Sequence, residues 1–224
     1  MHFKNWPKEE RPREKLLTKG ASSLSDSELL AIFIRTGVNG KSALDLGREL
    51  LVQFGDLRHI LNAKQEDICK VSGFGITKFV QLQAVLELNK RYLACELQRS
   101  ECLNNPDLTK QYLLAQLRDE NIEKFSALLL DNRHRVIKYV TFATGTLNQA
   151  TVHPREVIKT VLAANAAAVI FAHNHPSGIS EPSTADIRLT KRLQEGLALL
   201  NIRVLDHFVI GDGDCTSFAE MGLI

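Results

Sequence analysis

His173-Asn174-His175-Pro176 sets two imidazoles two residues apart, and Ser183 and Asp186 follow eight and eleven residues after His175. Side chains alternate faces along an extended chain, so His173 and His175 point the same way and can offer two ring nitrogens to one ion at about 2.0 to 2.1 Å. Asp186 falls in the first turn of the next helical segment, where the returning chain can place a carboxylate as third ligand. The fourth position then stays open for water. Two histidines and one carboxylate leave a zinc ion (Zn2+, one per chain) with net positive charge, the arrangement that lowers the pKa of bound water toward about 7. Hydrolytic chemistry at such a site also requires a general base and a donor for the developing oxyanion, and Ser183 is the candidate donor. Each part has a plainer reading. Ser183 and Asp186 fit the S-x-x-[DE] pattern that caps a helix, and a pair of loop histidines can serve as hydrogen-bonding or surface residues. The weight lies in the four residues together, placed at the end of one apolar run.

That run is Ala166 to Ala172, apolar and partly β-branched, which suits a buried strand emptying into a loop that carries both histidines; Pro176 and Gly178 then turn the chain. Further strand-like runs are Phe125 to Leu130, Arg135 to Phe142 and Val204 to Ile210, with helical segments at Pro154 to Asn165 and Ser183 to Leu200. His207, at the start of the last strand, and His153, before Pro154, read first as hydrogen-bonded structural histidines and second as partners of the ligands.

The front of the chain has a different grammar. From Ser22 to about Leu97 apolar residues recur at helical spacing, with breaks at Thr36 to Gly40, Phe54-Gly55-Asp56 and Ser72-Gly73-Phe74-Gly75. Ser25 ahead of Glu28, and Ser42 ahead of Asp45, mark helix starts. The polar stretch from Glu96 to Asp107, with Asn104-Asn105-Pro106, puts a domain boundary near residue 100. The expectation is an α+β protein: a helical domain over 1–100 and a mixed α/β domain over 101–224.

Ile68 to Lys78, with Gly73 and Gly75, resembles a helix-hairpin-helix hairpin, whose glycines and following helix N-terminus can meet a phosphate, with Lys70 and Lys78 supplying charge. Gly73, Gly75 and Lys78 are therefore the candidate DNA-contacting residues, for a sequence-independent and salt-sensitive contact. The same hairpin also serves as a packing element. The Gly37 to Lys41 turn lacks the full P-loop pattern, so no nucleotide site is assigned.

His-x-His-Pro followed by Ser-x-x-Asp resembles the JAMM (MPN-plus) metallopeptidase signature without a gap. More narrowly, Gly145-Thr146-Leu147-Asn148, His153-Pro154-Arg155-Glu156-Val157, His173 to Gly178 and Leu205-Asp206-His207 together resemble the bacterial RadC family over nearly the whole chain. The resemblance implies a helical front domain before a JAMM/MPN domain of cytidine-deaminase-like layered architecture. It also implies a zinc-dependent hydrolase, a metalloprotease or isopeptidase by analogy, with an older association with DNA repair. His173, His175 and Asp186 are then the metal ligands, and a glutamate beside the first strand is the general base. Glu123 is the first choice for that base, Glu120 the second and Glu156 the third. The alternative function is a DNA-binding repair or recombination factor with a structural or vestigial zinc site.

Composition excludes less. No run of roughly 18 apolar residues exists and the first residues lack an apolar signal core, so a cytoplasmic location with no membrane partner is expected. Cys69, Cys95, Cys102 and Cys215 are scattered without C-x-x-C pairing, which argues against a disulfide framework or a thiolate zinc site. Residues 1 to 100 hold 16 Lys/Arg against 12 Asp/Glu, and residues 101 to 224 hold 12 against 14, so the weak basic excess lies with the helical half. The substrate is an unknown protein or amide, and the oligomeric state is not readable.

Overall fold

The computed structural model describes residues 6–38, 40–99, 102, 105–145 and 152–224. Asn39, Asn104 and the Thr146-Leu147-Asn148 part of the family motif lie outside the described residues.

The chain divides into two compact units, 1–89 and 90–224. The first is helical: α1 (Pro12–Lys19), α2 (Asp26–Ile34), α3 (Ala43–Phe54), α4 (Leu57–Asn62), α5 (Gln65–Ile68) and the start of α6 (Ile76–Arg99). Both expected helix starts are capping boxes, since the Ser25 and Ser42 side chains accept from Glu28 N–H and Asp45 N–H while those carboxylates reach back. Each box satisfies backbone donors that the first turn would otherwise leave unpaired. Leu30, Ile34, Leu46, Leu50, Ile60 and Phe74 are buried in this unit's own core. Among the described residues, no helix is long and apolar enough to cross a membrane.

The division falls between Asn89 and Lys90, ahead of the boundary expected near residue 100. Packing, not polarity, sets it: α6 continues through the polar stretch to Arg99, and Leu97, 1% exposed, belongs with Leu93 and Ala94 to a core of the second unit.

The second unit adds α7 (Pro106–Leu117), β1 (Lys124–Leu130), β2 (Val136–Thr144), α8 (Pro154–Ala163), β3 (Ala168–Asn174), α9 (Thr184–Ala198), β4 (Arg203–Ile210) and the short β5 (Cys215–Ser217), which the sequence pattern did not reveal. The sheet order is β2-β1-β3-β4-β5. β1 pairs antiparallel with β2 and β3, whereas β3 and β4 run parallel with α9 as the crossover, as parallel neighbours require. Phe125, Ala127, Val169 and Phe171 point to one face and pack with Val157 and Val161 of α8 and Leu193 and Leu197 of α9. Leu128, Leu130, Ile170 and Ala172 point to the other and pack with Tyr112, Leu113 and Leu117 of α7. The α+β class stands, with helices layered on both faces of a mixed sheet.

Candidate metal centre

His173 is not in a loop, because β3 runs on to Asn174 and pairs Phe125 with His173. The alternation that buries Val169 and Phe171 toward α9 therefore carries His173 to the same face. His175 follows just outside the strand. A hydrogen bond from Gly178 N–H to the His175 carbonyl (2.9 Å) closes the turn, with Gly178 at φ 85°, the left-handed region that glycine enters without strain.

The partner helix supplies the carboxylate. The buried stripe of α9 is Asp186, Thr190, Leu193 and Leu197, positions that share one helical face, so the helix that packs on the sheet through its leucines presents Asp186 and Thr190 at the site end. Ser183 is the N-cap and Asp186 the third residue of a complete capping box: Asp186 N–H donates to Ser183 Oγ (3.2 Å), while Ser183 N–H (2.7 Å) and Oγ–H (2.6 Å) both donate to Asp186 Oδ2. Capping and membership of the histidine cluster do not compete here, because one carboxylate does both.

Glu123, His173, His175 and Asp186 each bring one ligand atom to a cluster in which all four atoms lie within 4.8 Å of one another. Within it, His173 Nε2 and His175 Nε2 are 3.0 Å apart, His173 Nε2 and Asp186 Oδ1 are 3.4 Å apart, and His175 Nε2 and Asp186 Oδ2 are 3.6 Å apart. A tetrahedral zinc with bonds of about 2.0 to 2.1 Å sets its ligand atoms about 3.3 Å from each other. The three donors thus have the spacing and the chemical types that fit such an ion.

The remaining ring nitrogens are tied down. His175 Nδ1 meets the Ile179 carbonyl at 2.8 Å, and His173 Nδ1 meets His207 Nε2 at 2.8 Å. Burial pushes the Asp186 carboxyl up, but the His173 and His175 rings beside it and the Ser183 hydroxyl together hold it far below the usual carboxylate range. The bond to Asp186 raises the His175 pKa, against burial and with help from the Ile179 carbonyl. Burial pushes the His207 pKa well below the ordinary histidine value.

Glu123 sits one residue before β1, and continuing the β1–β3 register by two pairs beyond Phe125–His173 sets it opposite His175. Glu120 instead pairs with Lys124 (2.7 Å), and Glu156 is exposed on the first turn of α8, so neither joins the cluster. His153 is an exposed N-cap residue of α8, also outside it.

Sequence reasoning missed two residues. Asn174, 1% exposed, points to the opposite face from the histidines, accepts from Lys124 N–H (2.8 Å) and donates to the carbonyls of Glu120 (3.1 Å) and Ile122 (3.2 Å). It clamps both sides of Glu123. Thr190 bonds His207, and its place four residues after Asp186 on the same helical face was the available signal.

In the helical unit, Gly73 adopts φ 86° and a Cβ there would lie 2.6 Å from Val38 Cγ1, so this glycine is demanded by the fold. Gly75 has open space around it. Lys78 donates to the carbonyls of Gly73 and of Thr36 (3.3 Å), tying the hairpin together, and burial lowers its pKa.

Residues 103–223 match the family model described as a RadC-like JAB domain, and residues 3–80 match the one described as UPF0758 N-terminal. A UPF0758 protein of Aeromonas hydrophila is 59% identical over 222 residues, 99% of each chain. One from Tolumonas auensis is 57% identical over 218 residues, 97% of each chain, and one from Nitrosococcus oceani is 56% identical over 224 residues, the whole of both chains.

Proposed function

We propose, from the premise that this chain belongs to the RadC-like JAB domain family, that it is a zinc-dependent hydrolase of the JAMM type, a metalloprotease or isopeptidase cleaving an amide bond. The observation that carries the reading is the convergence of Glu123, His173, His175 and Asp186 on one point. His173, His175 and Asp186 would hold the ion, and their donor types and spacing fit it. When bound, zinc supplies Lewis acidity and brings the pKa of a water toward about 7. Glu123 would take the proton of the attacking water as its oxygen bonds to the carbonyl carbon, and would return the proton to the nitrogen as the C–N bond breaks. Ser183 is the oxyanion donor in this reading; its hydroxyl proton must then turn from Asp186 Oδ2, where it rests at 2.6 Å, toward the substrate.

Metal analysis by inductively coupled plasma mass spectrometry is the direct test. The expected result is about one zinc per chain in the parent and none in His175→Ala or Asp186→Ala after the same mild chelation. Glu123→Gln should keep its zinc and lose about 100- to 10,000-fold in hydrolysis of whichever member of an amide and isopeptide panel the parent cleaves. Zinc retained by a double variant lacking His173 and Asp186 would sink the ligand assignment.

A second reading, sequence-independent DNA contact through the helical unit, is favoured by the open backbone at Gly75 ahead of α6. Gly75→Asp discriminates, since an aspartate suits a helix start but repels phosphate. Duplex binding that weakens in this variant and with added salt supports the contact; binding unchanged by either removes it.

A further inference from the structure

We infer that His207 and Thr190 are positioning residues that lock His173 in the one tautomer able to ligate a metal through Nε2, an inference that rests on the metal reading above. The direction of every proton in the chain follows from the atoms it meets. Thr190 Oγ1 lies 2.7 Å from the Asp186 backbone carbonyl, which can only accept, so the single hydroxyl proton goes there. The same oxygen lies 2.6 Å from His207 Nδ1 and has no proton left to give, so Nδ1 carries the hydrogen and donates. His207 is 0% exposed, and its rim is aromatic: Phe218 at 4.6 Å, Phe125 at 5.5 Å and Phe171 at 6.0 Å between ring centroids. Its two nitrogens meet Thr190 and His173, neither of them an anion, so a buried ring keeps the uncharged form and a bare Nε2. That bare nitrogen accepts at 2.8 Å, which requires the proton of His173 to be on Nδ1. Nε2, the atom 3.0 Å from His175 Nε2 and 3.4 Å from Asp186 Oδ1, is thereby the one nitrogen of His173 that can offer a lone pair to a metal.

The chain closes on itself. It starts at His173, a candidate ligand, and ends on the main chain of Asp186, another candidate ligand, so the strand-borne and helix-borne donors are fixed relative to each other by two side chains that touch no metal. A local irregularity makes this available. Val169 pairs with Val204 but Ile170 pairs with Asp206, an extra residue in β4 that reverses which side chains face α9 beyond it. Without that shift His207 would lie on the opposite face of the sheet from His173.

The test uses the full chain. In metal-free protein with 15N-labelled histidine, long-range proton–nitrogen spectra, assigned by substituting each histidine in turn, should show a protonated Nδ1 at His173 and a protonated Nδ1 with a bare Nε2 at His207. A bare Nδ1 on His173, or a proton on Nε2 of His207, would overturn the inference. In a chelator competition, Thr190→Val should bind zinc about 10- to 100-fold more weakly than the parent, whereas Thr190→Ser, which keeps the hydroxyl, restores parental affinity. A folded Thr190→Val that binds as tightly as the parent would also overturn it. A parent that takes up no zinc would overturn the metal reading beneath it, and the spectra, which need no metal, tell that failure from a failure of the tautomer chain.

Discussion

Asp186 concentrates most of the site's electrostatics on two oxygens: Oδ2 takes both Ser183 donors and faces His175, while Oδ1 faces His173. Its pKa is depressed, so the stability it contributes is present above its unfolded value of about 3.9 and is lost as pH falls toward the lower folded value. His175 has the opposite sign. Its pKa is raised by Asp186, so in the metal-free chain its contribution is full below the ordinary histidine value of about 6.5 and disappears as pH rises through the raised one. On the proposed ligand assignment zinc has to displace that same proton, so the two equilibria compete. Zinc affinity measured by competition between about pH 8 and about pH 5.5 should fall with acidity, approaching tenfold per pH unit at the acid end. An affinity flat across that range would argue against His175 as a ligand. Ser183→Ala should cost about 1 kcal/mol of stability through the lost cap, seen as a lower denaturation midpoint. Because it also removes two hydrogen-bond contacts from Asp186, its zinc affinity should fall with it, while an alanine at Ser25, the serine cap of α2, should lower stability alone.

At the scale of elements, the site is the polar end of an apolar interface. β3 presents Val169, Phe171 and His173 in alternation, α9 presents Leu197, Leu193, Thr190 and Asp186 along one stripe, and the strand pairing brings Glu123 alongside. Asn174 holds the segment that carries Glu123 by three hydrogen bonds to its backbone. Asn174→Ala leaves those groups without their partner, at about 1 to 3 kcal/mol for each one that stays dry. On the proposed assignment, the expected phenotype is a chain that retains zinc but hydrolyses poorly, because the proposed ligands lie on the other face of β3 while the proposed base loses its clamp. Zinc loss equal to that of His175→Ala would show instead that Asn174 supports the ligands themselves. The histidine pair, the carboxylate and the capping serine were legible in the sequence because each sits in a local pattern: strand alternation, an S-x-x-D helix start, a Pro and Gly turn. Glu123 was legible only through the family resemblance, since its place opposite His175 is set by a strand register that local spacing does not encode. His207 was visible in the sequence as a structural histidine or a partner of the ligands, but its face was not, as strict alternation along β4 puts it on the wrong one and the one-residue bulge has no sequence signature.

The whole molecule has separate apolar cores, and this sets how damage should spread. Leu46, Leu50, Ile60 and Phe74 belong to a cluster whose members all lie before residue 90, while Val161, Phe171, Leu193 and Leu197 belong to one whose members all lie after it. Leu50 and Leu197 are each 0% exposed, so truncation of either to alanine should cost about 2 to 5 kcal/mol, the transfer of the lost methyl groups plus the cavity they leave. Zinc distinguishes the two units, because a ligand stabilises only what it binds: at about one hundred times its dissociation constant it adds about 2.7 kcal/mol to the unit that holds it. Calorimetry of the parent should therefore resolve one transition that zinc raises and one that it leaves in place. Leu50→Ala should lower only the zinc-insensitive transition and leave the metal content at the parental level. Leu197→Ala, on the helix that carries Asp186, should lower the zinc-responsive one. A single transition that moves as a whole with zinc and with either substitution would mean that the two cores melt as one cooperative unit, and that substitutions in the helical half act on the metal centre through global stability.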